Sequence, residues 1–269
     1  MRVAVVGHLE WVEFVHVPHI PIAGDIVHGT PSLAVPAGGG GVAAVQLARW
    51  GAQSHFFTAF GDDTLGHGAH DELVRRGVLV HTTFRPTPQR RALTLIDRER
   101  DRTIIVLGNR LVAHGADPLP WDVLATCDAV YITGGDVAAL QQARRARVVV
   151  ATSRILPVLR ESNIQLDALV GSESDPSERY AAGDLPLAPR LSVRTDGARG
   201  GFFEQGGVRR PYAPVPAIVT GDTYGAGDTF AAALTFALGE GREPEAAIAF
   251  AAARSAEVVT YDGPYPPDT

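Results

Sequence analysis

The sequence contains no lysine, because every one of its 24 basic residues is arginine. A Walker A loop requires its lysine, and a protein kinase requires a lysine on its third strand, so both classes are excluded. Catalysis through a lysine Schiff base is excluded for the same reason. The base composition of the genome is the simplest explanation of the missing lysine, and the exclusions hold whatever the cause.

Cysteine and long apolar runs are also scarce. Cys127 is the only cysteine, so no intramolecular disulfide can form, and we expect a cytoplasmic protein. The apolar start, Met1 to Gly7, is too short for a signal peptide, and no run approaches the length of a transmembrane span. A net charge of −6 without a dominant basic patch argues against nucleic acid and anionic membrane as partners.

Short apolar runs alternate with helical patterns, which predicts an α/β fold in which a mainly parallel sheet is covered by helices on both faces. We predict strands at 2–7, 55–60, 129–133, 147–151, 167–171, 191–194 and 217–219. We predict helices at 43–50, 65–76, 136–146, 228–239 and 243–258. Two strand-rich insertions, near 10–35 and 82–107, are expected to pair into a small sheet beside the main domain. The length and the absence of a low-complexity linker indicate a single domain over 1–269.

The most informative segment is 219–230, where Gly225, Ala226 and Gly227 precede Asp228 at the start of a predicted helix. Small residues let backbone N–H groups approach a ligand closely, and a helix N-terminus favours anions. Asp228 in the first turn can then serve as a base beside the bound anion. A glycine-rich turn into a core helix would explain the glycines but not the flanking Asp222 and Asp228. The segment therefore has what transfer of a phosphoryl group to an alcohol requires.

Three other segments allow two interpretations each. The glycines from Gly38 to Gly41 suit either a binding loop or a flexible turn before a helix. Asp175, soon after a predicted strand, suits either water-mediated Mg²⁺ binding or the N-cap of a helix after Pro176. The turn at 195–200 is either a ligand-binding turn or only the connection of a β-hairpin. The histidines contain no HExxH pattern, which argues against a transition-metal site.

With these segments in this order, the chain resembles the ribokinase-like family of carbohydrate kinases, also called PfkB, over nearly its whole length. The match to the second family signature, at Gly221–Phe230, is close and highly specific. The other matching parts are the first signature at 37–51, two lid segments at 5–27 and 92–107, the Asn-x-x-Glu place at 172–175, and the nucleotide turn at 195–200.

The resemblance implies a ribokinase-like three-layer αβα fold with a small β lid, and an ATP- and Mg²⁺-dependent kinase. It implies that Asp228 is the catalytic base, that Gly225, Ala226 and Gly227 form the anion hole, and that Asp175 holds Mg²⁺ through water. The residues implied at the nucleotide are Thr195, Asp196, Gly197, Gly200 and Gly227. Asp222 and the carbonyl of Tyr224 lie where some relatives hold a monovalent cation such as K⁺. Many relatives dimerise through the lid, so a homodimer is expected.

The resemblance is weakest where the phosphate acceptor would bind. The residues implied at the acceptor are Glu10, Glu13, Gly38, Gly39, Gly40 and Val42, with Asp228. Sugar kinases of the family hold hydroxyl groups with an Asn and an Asp where this chain has Glu10 and Val12, and with an Asn where it has Val42. Losing these partners disfavours a ribose-like acceptor and favours a modified sugar, a nucleoside or a less polar alcohol. A small sugar or sugar-like metabolite is the leading prediction, and the alternatives are a nucleoside kinase and a non-catalytic ligand-binding relative.

Overall fold

The computed structural model describes residues 1–100 and 102–267, which form two β-sheets and six α-helices. The strands are β1 (Arg2–Val6), β2 (Glu10–His16), β3 (Thr30–Ala37), β4 (Gln53–Gly61), β5 (Leu79–Arg85), β6 (Arg91–Ile96), β7 (Arg102–Leu107), β8 (Ala129–Ile132), β9 (Val148–Thr152), β10 (Ala168–Ser172), β11 (Leu191–Thr195), β12 (Gly201–Gln205) and β13 (Val208–Tyr212). The helices are α1 (Gly38–Arg49), α2 (Thr64–Arg75), α3 (Val137–Ala143), α4 (Leu156–Ser162), α5 (Ala226–Gly239) and α6 (Pro244–Val258).

The larger sheet has nine strands in the order β13-β12-β11-β10-β9-β8-β1-β4-β5. The strands from β11 to β5 are all parallel, and β12 and β13 add an antiparallel edge. Continuous apolar runs such as Val3–Val6 produce such strands because both faces of the sheet are buried. The prediction of a mainly parallel sheet is confirmed.

Helices cover both faces of this sheet and make two separate cores. One core packs α1, α2, α5 and α6 against the sheet, and the other packs α3 and α4 on the opposite face. The three-layer arrangement brings the C-terminal ends of the parallel strands to one edge, where ligands bind in open α/β sheets.

The smaller sheet has the order β3-β2-β6-β7 and covers one end of the main domain. Its β2 and β6 are parallel, although each is also antiparallel to its other neighbour. Alternate residues of β2, such as Val12 and Phe14, are buried against the main domain. The ring of Phe14 meets the ring of Tyr224 edge-on at 4.9 Å, which places the lid beside the turn that precedes α5.

Several predicted boundaries are wrong. Residues 38–41 are the first turn of α1 rather than a loop, because close contacts with neighbouring strands fix them in a helix. Residues 82–85 belong to β5 in the main sheet, so the second lid insertion begins at β6 rather than at residue 82. Residues 217–219 form no strand: Pro214 and Pro216, which cannot donate to a sheet ladder, lie directly before them, and Ile218 is 81% exposed.

Helix α4 was not predicted, although the sequence marks both of its ends. Pro157 lies in its first turn, and the chain leaves the helix at Asn163, which has a left-handed φ of 51°. Within residues 1–100 and 102–267, no helix combines the length and apolar character needed to cross a membrane.

Candidate active site

Two helix N-termini meet at the edge where the parallel strands end. Helix α1 begins at Gly38, and α5 begins at Ala226, after Gly225 with a left-handed φ of 79°. Asp228 is the third residue of α5 and lies against the first turn of α1, since a β-carbon at Gly39 would be 3.0 Å from its Oδ1. The carboxylate therefore lies between two positive helix ends.

The Asp228 carboxyl titrates far from its ordinary range. Burial, and after it the negative charge of Glu178, raises its pKa from 3.8 to about 7. The positive charges of Arg154 and Arg102 oppose this rise. A carboxylate with a pKa near neutrality is suited to accept a proton from an alcohol, because a base works best with a pKa near the operating pH.

The turn before α5 leaves space for an anion. The N–H groups of Gly227 and Asp228 lie in the first turn of α5 and therefore have no carbonyl acceptor within the helix. Gly227 is exposed, and a β-carbon built on it would meet no atom within 4 Å. Gly225 is packed differently, since its β-carbon would lie 3.2 Å from Val42 Cγ1.

Acidic residues after β10 surround Arg154. The guanidinium of Arg154 is 2.7 Å from Asp175 Oδ2 and also pairs with Glu178. Asp175 accepts a hydrogen bond of 2.9 Å from Ser177 N, so the N-cap interpretation is present, although the helix is only the 3₁₀ turn Pro176–Glu178. Hydrogen bonds from Ser177 and from Arg154 hold the pKa of Asp175 below its ordinary value.

Glu178 was not predicted as a site residue. Its Oε2 accepts a 2.9 Å hydrogen bond from Ser172 N, and its charge, rather than that of Asp175, raises the pKa of Asp228. The sequence signal was a second acidic side chain three residues after Asp175. Within the described residues no group of three or more His, Cys, Asp or Glu side chains is arranged to hold a metal ion. Carboxylate oxygens are the donors that Mg²⁺ takes through its waters, and the two candidates here, Asp175 and Glu178, both pair with Arg154 in the structure.

A buried polar cluster lies on the other side of Gly39. Glu10 is 7% exposed, and its Oε1 is 2.8 Å from the Nε of Arg90. His8 is 7% exposed, and its Nδ1 has no hydrogen-bond partner among the described residues. A β-carbon at Gly39 would be 3.7 Å from His8 Cε1, so His8 and Asp228 flank the same glycine. His8 and Arg90 were not predicted as site residues.

Two predicted acceptor residues lie away from this cluster. Glu13 projects from the opposite face of β2, because its position differs from Glu10 by an odd number, and it pairs with Arg91 at 2.7 Å. Val42 is completely buried and packs against the turn before α5. Gly38 and Gly40 pack closely on the chain at 8–10, where Gly40 N donates a 3.0 Å hydrogen bond to the carbonyl of His8.

Asp222 connects the turn to the C-terminal segment. It is 1% exposed, and its carboxylate accepts hydrogen bonds from Tyr224 N at 2.6 Å and from Gly263 N at 2.7 Å. Each of its oxygens keeps a lone pair that a cation could use. The hydroxyl of Tyr224 accepts a hydrogen bond of 3.3 Å from Gly38 N, which links the two helix starts directly.

The predicted nucleotide turn is a tight connection between β11 and β12. Thr195 ends β11, and Gly197 and Gly200 have positive φ values of 54° and 83°. A β-carbon at Gly200 would be 2.3 Å from the carbonyl oxygen of Tyr212, so only glycine fits there. Asp196 is held by Arg199 through two contacts of 2.7 and 2.5 Å. The turn lies beside the end of β10, where Glu173 N donates a 2.9 Å hydrogen bond to the carbonyl of Thr195.

Comparison with known proteins adds a family to this geometry. A family model described as pfkB family carbohydrate kinase matches residues 1–169 and 165–269. Ribokinase of Bacillus subtilis (strain 168) is 29% identical over 250 residues, which cover 86% of this chain and 83% of that protein.

Solved structures agree with the sequence comparison. The structure of Arabidopsis thaliana ribokinase complexed with ribose and ATP has a TM-score of 0.77 at 20% identity, with 97% of this chain and 93% of that chain covered. Escherichia coli phosphofructokinase-2 in complex with fructose-6-phosphate has a TM-score of 0.75 at 15% identity, with 96% and 93% covered. The predicted ribokinase-like fold is confirmed.

Proposed function

The chain belongs to the pfkB family of carbohydrate kinases, and we propose that it transfers the γ-phosphoryl group of ATP to a hydroxyl of a small sugar or sugar-like metabolite. The observation that carries the proposal is Asp228, a carboxylate with a pKa near 7 in the first turn of α5 beside an open anion position. ATP as the donor is supported by the related Arabidopsis thaliana structure, which contains ribose and ATP.

In this proposal Asp228 accepts the proton of the acceptor hydroxyl as that oxygen attacks the γ-phosphorus, and the bond from the γ-phosphorus to the β-phosphate breaks, so that ADP leaves. Phosphoryl transfer depends mainly on positioning and on stabilising charge. The N–H groups of Gly227 and Asp228, with Gly225 and Ala226 shaping the turn, would bind the phosphoryl oxygens. Arg154 and Arg102 bring positive charge close enough to lower the pKa of Asp228, so they are also near enough to stabilise these oxygens.

The nucleotide would bind along the same sheet edge, against Thr195, Asp196, Gly197 and Gly200, with its phosphates directed toward Gly227. Asp175 and Glu178 would hold a magnesium ion through its waters. A magnesium ion held there would supply positive charge that neutralises the phosphates. Asp222 with the carbonyl of Tyr224 remains our proposed position for a monovalent cation such as K⁺.

The lid would exclude water from the reaction. In the structure Phe14 and Arg102 of the lid contact Tyr224 and Thr223 in the turn before α5. Arg100 pairs with Asp262 in the C-terminal segment at 3.2 Å. Water exclusion prevents ATP hydrolysis and strengthens the electrostatic contacts in the site.

We also propose a cytoplasmic homodimer that forms through the lid. Edge strand β7 exposes the apolar residues Ile104, Ile105, Val106 and Leu107 over 41–48% of their surfaces. An exposed apolar edge strand is a template for pairing with another chain.

The sharpest test of the kinase proposal is Asp228→Asn. We expect turnover to fall by about 10²–10⁴-fold, because the amide cannot accept the proton, while the fold and ATP binding are retained. The measurement is ATP-dependent phosphorylation across a panel of sugars and nucleosides, with circular dichroism and nucleotide binding as checks. Asp122→Asn is the matched control, since that side chain is 96% exposed and lies outside the site.

The panel also separates the alternatives. Turnover confined to nucleosides would make the protein a nucleoside kinase of the same fold. Nucleotide binding without turnover of any acceptor would make it a non-catalytic relative. Wild-type turnover in Asp228→Asn would contradict the proposed role of Asp228.

A further inference from the structure

Two arginines lie at the base of the lid hairpin. Arg90 precedes β6 directly, and Arg110 follows β7 by three residues. The antiparallel pairing of Arg91 with Leu107 brings these two connections side by side. A β-carbon at Gly108 would be 3.8 Å from the Cα of Arg90. The hairpin backbone therefore holds the segments that carry Arg90 and Arg110 next to each other.

These arginines carry more positive charge than the nearby carboxylate can balance. Arg90 forms an ion pair with Glu10 at 2.8 Å, and both side chains are largely buried. Arg110 is exposed and has no hydrogen bond or ion pair with any described residue. Burial raises the pKa of Glu10, and the charges of Arg90 and Arg110 both oppose that rise, so both arginines act on the same carboxylate.

His8 adds no charge to this cluster. Burial, followed by the charges of Arg110 and Arg90, lowers its pKa to about 3, so the imidazole is neutral at physiological pH. Its unpartnered Nδ1 is free to bind a polar group. The cluster of His8, Glu10, Arg90 and Arg110 therefore carries a net positive charge, with one arginine unpaired.

The cluster lies on the acceptor side of the base. His8 and Asp228 flank Gly39, at 3.7 and 3.0 Å from the position of its β-carbon. The nucleotide turn follows β11, which is four strands away from β1 in the sheet, or about 19 Å at ordinary strand spacing. The positive charge beside β1 therefore lies where the phosphate acceptor would bind, and it is distant from the position of the nucleotide base and ribose.

We infer that the phosphate acceptor carries an anionic group, a carboxylate or a phosphate, which Arg110 binds together with Arg90 and His8. This inference rests on the proposed kinase function. A guanidinium presents a planar pair of donors that matches a carboxylate or phosphate, and such charge-assisted hydrogen bonds are about twice as strong as neutral ones. Val12 and Val42 are buried and cannot hydrogen-bond to sugar hydroxyls. A neutral sugar would therefore gain no polar contacts from them and would leave the Arg110 guanidinium without an anionic partner.

The test compares matched charged and neutral acceptors. ATP-dependent phosphorylation is measured with gluconate against glucose, and with ribose 5-phosphate against ribose, so that the two pairs distinguish a carboxylate from a phosphate. We expect the charged member of at least one pair to have the higher kcat/KM, by about 10-fold or more.

Arg110→Gln should lower kcat/KM for that charged acceptor by about 10- to 100-fold, mainly by raising its KM, and leave the KM for ATP unchanged. Arg110→Lys keeps the charge and should restore part of the loss. The control is Arg145→Gln, which removes an exposed arginine at the end of α3, paired with Asp122 at 2.8 Å, and should change neither constant.

A binding measurement separates this inference from the kinase proposal. Titration calorimetry of the four compounds with Asp228→Asn reports acceptor binding without turnover. The inference is supported if a charged compound binds more tightly than its neutral partner and this preference is lost in the double variant Asp228→Asn/Arg110→Gln. That result would stand even if no compound is phosphorylated and the kinase proposal fails. Equal or tighter binding of the neutral compounds overturns the inference, while their phosphorylation would leave the kinase proposal intact.

Discussion

Asp228→Asn should make the folded protein more stable at high pH while it lowers turnover by about 10²–10⁴-fold. The folded-state pKa of Asp228 is about 7, against an ordinary value of 3.8. A group whose folded pKa is raised contributes stability that is complete below the unfolded pKa and is lost as pH rises through the folded pKa. Asparagine mimics the protonated form at every pH, so the variant avoids this loss.

The size of the effect follows from the two pKa values. The interval from 3.8 to about 7 corresponds to about 4 kcal/mol in the free energy of unfolding above pH 7. Solvent reaches part of the Asp228 side chain, so we expect about 2–4 kcal/mol at pH 8. At pH 5 the difference falls to about 1–2 kcal/mol, because the folded carboxyl is still protonated and only the unfolded carboxyl ionises.

The assay is urea unfolding of wild type and Asp228→Asn between pH 5 and pH 8, followed by circular dichroism. Asp175→Asn is the contrasting control, since hydrogen bonds from Ser177 and Arg154 lower the pKa of that carboxyl and its loss should destabilise the protein at pH 8. A stability difference for Asp228→Asn that does not grow with pH would refute the reasoning, as would a less stable variant at pH 8.

Two further predictions concern the same site. The acid limb of the pH profile of kcat/KM should lie near pH 7. It should move to lower pH in Glu178→Gln and to higher pH in Arg154→Gln, because the charge of Glu178 raises the pKa of Asp228 and the charge of Arg154 lowers it. Profiles that move in the same direction for both variants would contradict this assignment. Gly227→Ala should stabilise the protein by about 0.5–1 kcal/mol in urea unfolding, because alanine favours the helical state of α5. It should nevertheless lower kcat/KM at least 10-fold, since the added methyl group would occupy the open anion position. Unchanged activity would show that the phosphoryl group binds elsewhere.

Local sequence patterns predicted the parts of the site that depend on local structure. Gly225 to Asp228 are close in sequence and sit at a helix start, so small residues, helix periodicity and one acid were sufficient to place Asp228 in the first turn of α5. The strand-rich insertion that contains β6 and β7 was predicted because these two strands are adjacent in the chain.

Contacts between distant segments were outside the reach of such patterns. Arg90 meets Glu10 from 80 residues away in the chain, and Arg154 reaches Glu178 across the end of β9 and β10. The helical state of Gly38 to Gly41 also arises from tertiary packing, since Gly40 fits only because it has no side chain to collide with the carbonyl of His8. Glycine lowers intrinsic helix propensity, so a local rule assigned this segment to a loop.

The meeting of α1 and α5 has a consequence for how the protein is made. The two helix starts that flank Asp228 lie 188 residues apart, at Gly38 and Ala226, and Gly263 must also arrive before Asp222 has both of its donors. Nearly the whole chain must therefore be synthesised before the site can form, and such non-local closure is slow. Activity should consequently be the last property to appear when the protein refolds, after the central strands have already paired.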